Sequence, residues 1–507
     1  MYTHDSLWHI ERIQNMSSLL PAQFPVRWSP SLDNGYGVPL FNFTYPLPYY
    51  FGAGLMAIGL GPIKSYNLII LVSYLLGGVG VYFLGSKKPW VGLVAAVLYL
   101  TMPYQFLDIF VRGALGEVVA LGIIPWIFLA IGQISTDGKL RWYSSLPFAL
   151  LIISHNFYAY LFGALLAFCV AVIYRHKLAI MVSLLISLGL SAFFWLPALL
   201  EKNYLLFSAS AQNGYRDHYV YFTQLFSSQW SYLGSQAGLD PQEMSYSLGI
   251  STIIVILVAI YVAVKTRAKR LGSYLFPLLV SIFLMLPASD FLWQHLPLLA
   301  SIQFPWRFLG VVAVLIPLIY LEIADHYAKA SNFRLFSFVL IIVGILGITR
   351  YGRPVKWLSA EEFYNLHYEY VGKTTTAARE EIVPRWAVTE RYQPPSPLLI
   401  SDSSPVSDLS QQDLGISFRA DSASSEGAIA VYHRNYYPMW QLLVDGQFSP
   451  IGPTSTGEIT FPLRSGDHHY ELRVGSTQVQ KLGNWISLLF IFGAAFYFGR
   501  PNKHQTA

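Results

Sequence analysis

The chain has 507 residues, of which 54% are hydrophobic, 16% aromatic and only 12% charged. A soluble protein of this length would carry about a quarter charged residues, so the composition excludes an ordinary soluble protein and indicates an integral membrane protein. The net charge of +5 comes from short basic clusters between apolar runs, which argues against nucleic-acid binding. A single cysteine, Cys169, excludes an intrachain disulfide.

The first 65 residues are predicted to form an extracytoplasmic loop with a candidate catalytic acid. Asp5, His9 and Arg12 stand at i, i+4 and i+7, so one helix would point them the same way. Asp5 has two interpretations, a general base or charge stabiliser, and a helix N-cap or paired surface acid. No signal peptide precedes it, so a leading helix is expected to be missing.

An aromatic, Gly/Pro-rich loop surrounds Tyr36 and precedes the first apolar run. Its rings could serve as platforms for sugars, and Tyr36 is the candidate residue. An aromatic belt at the membrane interface explains the same residues. Residues 51–62 are interpreted as an interfacial or re-entrant helix.

The region 66–349 and a final helix at 483–499 are predicted to cross the membrane about eleven times, at about 20 residues a span. Two weaker runs, 89–103 and 143–154, are included in that number. The nine stronger runs are 66–84, 117–132, 156–174, 178–198, 249–265, 271–287, 305–323, 335–349 and 483–499.

Basic clusters place one set of loops in the cytoplasm. The opposite side then receives the N-terminal loop, an outer loop at 199–247, a linker region at 350–416 and the segment 417–478. The last of these alternates apolar and polar residues between Asp-Gly, Gly-Pro and Ser-Gly turns. It is predicted to be a small antiparallel β domain, similar to a β-sandwich.

Ionisable residues collect at the extracytoplasmic ends of the predicted spans, so we expect a shared cavity there. Asp108 and Arg112, four residues apart, are interpreted as a structural pair. Glu117 is either a functional acid or the partner of Arg112 or another cation.

His155 and Asn156 interrupt an apolar stretch on the same side, and Trp306 and Arg307 begin a later span. For His155 a satisfied buried histidine is weighed against a ligand. Arg307 could bind a phosphate through its fork of donors, or extend to the interface as long side chains do.

The segments HDSLWHIERI, FPVRWSPSLDNGYGVPLFNFTYPLPYY, VRGALGEVVALGIIPW, ISHNFYAYLF, FFWLPALLEKNY and IQFPWRFLG together resemble a bacterial membrane-protein family. Its members carry the label "6-pyruvoyl-tetrahydropterin synthase-related". They are similar in plan to the GT-C glycosyltransferase superfamily and to YfhO-like membrane proteins. The three-histidine zinc site of soluble pterin synthases has no counterpart in this sequence, so the pterin label is discounted.

The resemblance implies an α-helical polytopic membrane protein, GT-C-like, with the small β domain before its last helix. It implies a glycosyltransferase of the bacterial cytoplasmic (inner) membrane, with its active face and β domain extracytoplasmic. The donor would be a sugar on a polyprenyl phosphate, and the acceptor a glycan, lipid or protein of the envelope. Membrane lipids would surround it, and the need for a divalent cation stays open.

Asp5 matches the position of the catalytic acid in such enzymes, and the resemblance implies a general base there. Glu117 is the candidate second acid, and His9 and His155 would orient the acid or the acceptor. The predicted substrate-binding residues are Arg12, Arg112, His155, Asn156, Trp306, Arg307 and Tyr36.

Two other functions remain. A lipid or glycan transporter or flippase would place charges near mid-bilayer in a twofold repeat of discontinuous helices, and the sequence has no visible repeat. A non-catalytic envelope-assembly protein would bind a partner through the β domain and would not need Asp5 or Glu117.

Overall fold

The computed structural model describes residues 1–206, 214–226, 229–239, 242–300, 302–359, 361–362, 364–365, 382–388, 397–401, 404–422 and 428–498. Three helices precede the membrane bundle. They are α1 (Ser6–Leu19), α2 (Leu40–Phe43) and α3 (Leu47–Ala57). The last of these overlaps the helix expected at 51–62 over residues 51–57, and its interfacial or re-entrant position stays a prediction.

The bundle consists of apolar helices joined by short turns. Its helices are α4 (Pro62–Leu84), α5 (Pro89–Leu100), α6 (Pro103–Phe106), α7 (Leu115–Asp137), α8 (Leu146–Ile152), α9 (Asn156–Val172), α10 (Lys177–Leu190), α11 (Ala192–Leu200), α12 (Ile250–Thr266), α13 (Lys269–Met285), α14 (Asp290–His295), α15 (Pro297–Ala300), α16 (Leu309–Tyr327), α17 (Ser331–Tyr351) and α18 (Gln478–Phe498). A π-helical turn, Leu107–Arg112, extends α6. Single 3-10 turns lie at Lys202–Tyr204, Gly214–His218, Phe222–Leu225, Pro287–Ser289 and Pro305–Phe308.

Eight of the nine strong apolar runs of the sequence each fall on one of these helices, and the run at 178–198 falls on two, α10 and α11. Within the described residues, five helices are long and apolar enough to cross a membrane, or up to eight if each bent pair is one span. Two further apolar helices, α9 and α12, are shorter. The protein is therefore a helical membrane protein, and the figure of about eleven spans stays a prediction.

The run at 178–198, predicted as one span, is instead broken into α10 and α11, which meet at 73°. The Ser187 and Ser191 hydroxyls donate to the carbonyls of Ser183 and Ser187, at 2.9 and 2.8 Å. Such back-bonding favours a bend in a helix. Apolar run length alone does not encode it.

Helices α7 and α16 form the centre of the bundle, because most of their residues are buried. Small residues let the neighbouring backbones approach: a Cβ at Gly122 of α7 would lie 2.5 Å from the carbonyl oxygen of Ser73 in α4. Close helix contacts of this kind hold membrane helices together, because lipid offers no hydrophobic driving force between them.

Within its described residues, the β domain contains nine strands in two antiparallel sheets. They are β1 (Leu398–Ile400), β2 (Val406–Gln412), β3 (Gly415–Ser422), β4 (Ile429–Asn435), β5 (Trp440–Val444), β6 (Gln447–Ser449), β7 (Gly452–Pro453), β8 (Glu458–Pro462) and β9 (Gly466–Val474). One sheet has the order β1-β4-β8-β7 and the other β2-β3-β9-β5-β6. Both contribute to one apolar core, so the domain is a sandwich.

The start of this domain differs from the sequence prediction. Strands β1 and β2 lie inside the segment 350–416 that was predicted to be a linker, and they pair with β4 and β3. All seven residues of β2 are exposed, so this edge strand lacks the alternating apolar pattern by which a half-buried strand is recognised. The linker prediction is corrected over these strands.

The N-terminal segment completes the core of the β domain. Trp28 is fully buried in that core and contacts Trp440 edge-to-face, with ring centroids 5.5 Å apart. A Cβ at Gly37, whose φ is +77°, would overlap the Trp28 indole. Glycine is therefore required there both for its backbone conformation and for the space it leaves.

A buried polar network joins the same segment to the rest of the protein. Glu201, at the end of α11, accepts hydrogen bonds from Asn42, from Tyr437 of the β domain and from Gln480 of α18, at 2.8, 2.7 and 3.1 Å. Arg27 donates to Asn42 at 2.9 Å. A buried carboxylate is tolerated when its oxygens are bonded in this way. The network fixes the N-terminal loop against the β domain and the last helix.

Candidate functional site

The first residues of the chain are hydrogen-bonded to the last two residues of the π-helical turn. The His4 and Asp5 N–H groups donate to the carbonyls of Val111 and Arg112, at 3.0 and 2.9 Å. Gly113 lies next to this contact with φ of +64°, and a Cβ there would overlap the Thr3 hydroxyl. The two segments therefore position Asp5 beside Arg112.

Helix α1 begins directly after Asp5. Asp5 occupies the N-cap position, but its side chain makes no capping hydrogen bond. Of the two interpretations, the N-cap explanation therefore does not account for this carboxylate. Seven residues later on the same helix, Arg12 lies about 10 Å along the axis, since an α-helix rises 1.5 Å per residue.

A cavity of about 140 Å³ lies beside this helix. The expected convergence is found, because residues from five separate parts of the sequence meet around it. Its lining consists of Asp5, Trp8, His9, Arg12, Tyr45, Arg112, Ala114, Glu117, His155 and Arg307. Seven of the ten predicted site residues are among them.

Glu117 is the centre of an ion cluster on one wall of the cavity. Its two oxygens accept from both terminal nitrogens of Arg112, at 2.8 Å each, and one also accepts from Arg307 Nε at 3.2 Å. The Tyr104 hydroxyl donates to it at 2.9 Å. Glu117 is 1% exposed. The interpretation as an ion-pair partner therefore describes Glu117 better than that of a free second acid.

The remaining bonds of the cluster keep both arginines in place. Asp108 accepts from Arg112 Nη1 at 2.5 Å, as expected for a structural pair. Arg307 donates to the Ile302 carbonyl at 2.7 Å and lies 4.5 Å from the centroid of the Phe157 ring. Arg307 is buried, so it does not extend to a surface.

Asp5 and Arg12 differ from this cluster. In the described part of the chain, no cation lies within 4 Å of the Asp5 carboxylate, and no carboxylate lies within 4 Å of the Arg12 guanidinium. Arg12 contacts the Tyr49 hydroxyl at 3.4 Å, while its Nε is buried with no hydrogen-bond partner. The cavity therefore carries one available anion and one available cation on the same helix.

Burial sets the charge state of the groups on α1. It raises the pKa of Asp5, and this effect outweighs the lowering influence of Arg112, His4 and Arg12. Burial also holds the pKa of His9 well below its usual range, reinforced by Arg12. His9 is therefore neutral near pH 7, and its Nδ1 lies 2.9 Å from the Tyr49 hydroxyl.

His155 is held as a satisfied buried histidine. Its Nδ1 accepts a hydrogen bond from the Tyr158 N–H at 3.2 Å and so caps helix α9. In the neutral ring the proton is then on Nε2, which lies 3.8 Å from Glu117. Its roles are to cap the helix and to border the cavity.

Three of the predicted substrate-binding residues do not line the cavity, and their role in binding stays a prediction. Trp306 lies behind Arg112, whose guanidinium carbon is 4.3 Å from the ring centroid. Asn156 donates to the Phe43 carbonyl at 3.0 Å. Tyr36 lies against the β domain, where its carbonyl accepts from the Asn435 N–H at 2.8 Å. The partners of all three residues are distant in the chain or depend on packing, so their positions cannot be read from the spacing of residues in the sequence.

Sequence reasoning missed several groups around the cavity. Tyr45 lines it, with its ring 5.1 Å from that of His155, and Tyr49 joins His9 to Arg12. Tyr104 binds Glu117. The first two belong to the aromatic loop whose rings were considered for sugars, but nothing in the sequence distinguishes them from the other tyrosines there.

The residues present do not fit a divalent metal site. Within the described residues, no group of three or more His, Cys, Asp or Glu side chains could hold a metal ion. Glu117 already accepts bonds from guanidinium and phenol donors, which leaves Asp5 as the single unpaired carboxylate of the lining. A magnesium or calcium ion requires more oxygen ligands than this.

The chain belongs to a known family of membrane proteins. Residues 41–352, more than half of the chain, match the model of a membrane-protein family described as the 6-pyruvoyl-tetrahydropterin synthase related domain. The match includes Glu117 and Arg307 but ends before the β domain and begins after Asp5. The expected family is thereby confirmed.

Among solved structures, the chain is similar to the crystal structure of the Archaeoglobus fulgidus oligosaccharyltransferase in the apo form. The sequences are 15% identical, the TM-score is 0.39, and the match covers 73% of this chain and 52% of that one. The chain thus spans about half the length of that structure. No curated protein matches the chain.

Proposed function

We propose that this membrane protein is a glycosyltransferase of GT-C type that uses a sugar on a polyprenyl phosphate as its donor. The observation that supports the proposal is that one cavity is lined by a carboxylate and a guanidinium that have no ion-pair partner among the described residues, Asp5 at the N-cap of helix α1 and Arg12 on the same helix. The proposed acceptor is a glycan, lipid or protein of the bacterial envelope. The active face would be the extracytoplasmic face of the inner membrane, where the basic clusters place Asp5.

In the proposed reaction, the Asp5 carboxylate takes the proton of the acceptor hydroxyl as that oxygen attacks the anomeric carbon. The bond from this carbon to the phosphate oxygen breaks, and the phosphate keeps the electron pair. Because attack and departure occur on opposite sides, the anomeric configuration inverts and no covalent enzyme intermediate forms. General-base help of this kind contributes about 10²- to 10⁴-fold in rate.

Arg12 would stabilise the charge that develops on the departing phosphate. A guanidinium already bonded to a carboxylate has fewer donors to offer, which favours Arg12 over Arg112 and Arg307. The rise of about 10 Å between Asp5 and Arg12 along the helix leaves room for a sugar between base and phosphate partner. A preorganised cation in a water-poor site is worth about 10²- to 10³-fold.

Glu117 would act as a positioning residue. Its carboxylate binds both Arg112 and Arg307 and so holds these two guanidinium groups in the lining of the cavity. His9 would keep its place through Tyr49 and remain neutral. Neither of them needs to exchange a proton in this mechanism.

The test is transfer of labelled hexose from a polyprenyl phosphate carrier to envelope glycans by the full chain in liposomes. We expect Asp5→Asn to lower transfer by about 10²- to 10⁴-fold and Arg12→Gln by about 10²- to 10³-fold. The matched controls are Asp217→Asn and Arg464→Gln, two exposed residues that do not line the cavity, and both variants should transfer at the normal rate. Unchanged transfer in correctly inserted Asp5→Asn protein would remove the proposed function.

A transporter or flippase is the second candidate, favoured by the three bent helix pairs found among the described residues of the bundle. Discontinuous helices that end near charged groups are a feature of such proteins. Flipping of a fluorescent polyprenyl phosphate across the liposome membrane, with no transfer of sugar, would support this function instead.

A further inference from the structure

A second pocket, of about 220 Å³, lies farther along helix α1. Asn15 and Ser18 of that helix form one side of the pocket, and Ser31 and Gly35 of the following loop form another. The third side is formed by Asp413 and Arg434 of the β domain. Ser18 lies about 20 Å along the helix axis from Asp5, at 1.5 Å per residue. One helix therefore connects the two pockets.

The wall formed by α1 and its loop is rigid and rich in hydroxyl and amide groups. Asn15 donates to Glu11 at 2.8 Å and to Ser31 at 3.0 Å, and it accepts from Ser29. Ser18 and Ser31 are exposed at the rim. Fixed hydroxyl oxygens of this kind can both donate to a ligand and accept from it.

The wall formed by the β domain carries two charges of opposite sign that do not pair. Within the described residues, Arg434 has no carboxylate within 4 Å and Asp413 makes no hydrogen bond. Arg434 is held by the His433 carbonyl, at 3.3 Å, and by the Tyr432 ring, while its Nε is buried without a partner. A buried donor without a partner is costly, and Arg434 lines the pocket, so its guanidinium can be reached by a ligand oxygen.

The composition of the pocket selects the chemistry of the ligand. Asp413 would repel an anion and Arg434 a cation, so a net-neutral ligand fits best. Leu19 and Pro30 are the apolar members of the lining, so apolar side chains of a polypeptide or a lipid tail would find little surface. A sugar offers several hydroxyls, each both donor and acceptor, to match this wall.

We propose that this pocket binds a neutral sugar unit of the acceptor, and hence that the acceptor is a glycan longer than one residue. Naming the ligand as the acceptor rests on the proposed function, whereas the pocket and its sugar chemistry do not. The 20 Å rise between Asp5 and Ser18 along the helix exceeds a single sugar residue. A distant unit held here would direct the reacting end of the glycan toward Asp5.

Binding is tested without catalysis. Saturation-transfer NMR on the full chain in detergent would use neutral tetrasaccharides of glucose, mannose and N-acetylglucosamine, each compared with its monosaccharide. We expect at least one tetrasaccharide to bind, and Arg434→Gln to weaken it by tenfold or more. Arg464→Gln, an exposed arginine of the same domain, should bind normally. The proposal would be overturned if none of the tetrasaccharides binds, or if Arg434→Gln binds them as well as Arg464→Gln does.

A second variant guards against misfolding. Ser18→Trp fills the pocket from an exposed position and should block the tetrasaccharide while leaving the melting temperature unchanged. Unimpaired binding by Ser18→Trp contradicts the proposal, and so does an unstructured peptide that competes for the pocket.

Transfer activity separates the two proposals. If Asp5→Asn abolishes transfer while Arg434→Gln and Ser18→Trp leave both transfer and its KM for the oligosaccharide unchanged, the pocket proposal fails and the enzyme stands. If Asp5→Asn transfers normally but tetrasaccharide binding is lost in Arg434→Gln, the enzyme fails and the sugar pocket stands.

Discussion

Asp5 and Glu117 border the same cavity, yet in the described part of the chain the Glu117 carboxylate is bonded to two arginines and the Asp5 carboxylate to none. Two carboxylates in one site therefore have different tasks, set by their partners. Asp5 remains available to a substrate, while Glu117 keeps two guanidinium groups in position. The predictions below separate these roles.

The first prediction concerns the stability of the ion cluster. Replacing Glu117 by Gln leaves Arg112 and Arg307 buried with less compensating charge. Breaking a buried pair costs about 3–5 kcal/mol, so we expect a large loss of thermal stability in detergent. Asp5→Asn removes an unpaired, partly buried charge and should melt at least as high as the original protein. Equal melting of the two variants would contradict the assigned roles.

The second prediction is the pH dependence of transfer. A general base must be ionised, so transfer should fall as the pH falls through the pKa of Asp5. Because burial raises that pKa, the acidic limb of kcat/KM should lie above the ordinary aspartate value of about 3.9. Arg12 lowers the pKa of Asp5, so Arg12→Gln should move the limb of its residual activity to higher pH. If the acidic limb of the pH profile lies at the same pH in Arg12→Gln as in the original protein, the limb does not report the ionisation of Asp5.

The raised pKa of Asp5 also predicts how stability depends on pH. The folded protein binds this proton more tightly than the unfolded chain does. The stabilising effect is complete below the unfolded pKa and is lost as the pH rises through the folded pKa. The melting temperature of the original protein should therefore fall as the pH rises from the unfolded to the folded pKa of Asp5. Asp5→Asn should lack this contribution to the fall. If the melting temperatures of the two proteins change equally with pH, burial does not raise the pKa of Asp5.

The third prediction tests how Asp5 is placed. At Gly113, with φ of +64°, alanine would be strained and would overlap the Thr3 hydroxyl. We expect Gly113→Ala to detach residues 3–5 from the neighbouring loop and to abolish transfer, with faster hydrogen exchange in that segment. Gly132→Ala on α7, where a Cβ meets nothing within 4 Å, is the matched control and should keep both. Normal transfer by Gly113→Ala would show that this contact does not position Asp5.

The fourth prediction concerns the junction of the β domain. Tyr437→Phe removes the 2.7 Å hydrogen bond to buried Glu201, and bonds to charged groups are worth about 1.5–3 kcal/mol. We expect hydrogen exchange at the domain junction to accelerate by tenfold or more, since about 1.4 kcal/mol is tenfold. Tyr436→Phe, the adjacent ring, is the control. If both variants exchange alike, the Glu201 network does not hold the domain.

The fifth prediction is that transfer needs no divalent cation. Glu117 is occupied by guanidinium groups, and the described residues hold no cluster of metal ligands. Transfer should therefore persist in EDTA and should not rise when magnesium or manganese is added back. Loss of activity in EDTA that manganese restores would contradict this.

Local patterns in the sequence were sufficient for the helices and for part of the site. Apolar run length located α4, α7 and α16, because a membrane helix needs only a continuous apolar stretch. The spacing of Asp5, His9 and Arg12 correctly predicted that they share a face. Both are properties of neighbouring residues.

Contacts between residues that are distant in the chain could not be predicted from the sequence. The bond from Arg307 to Glu117 joins residues 190 positions apart, and helical spacing says nothing about such pairs. Strand β2 escaped notice because none of its seven residues is buried. Tyr36 was predicted to bind a sugar because its neighbours in the sequence are aromatic. Its contact with Asn435 depends instead on how the N-terminal loop packs against the β domain.

Trp28 makes the β sandwich dependent on residues almost four hundred positions away. A fragment cut at the sandwich boundaries would lack this indole and expose a gap the size of the largest side chain, so it should be poorly soluble when expressed alone. Grafting the sandwich onto a relative would likewise require transplanting the segment around Trp28 and Gly37 with it. The modular unit for protein engineering is therefore discontinuous.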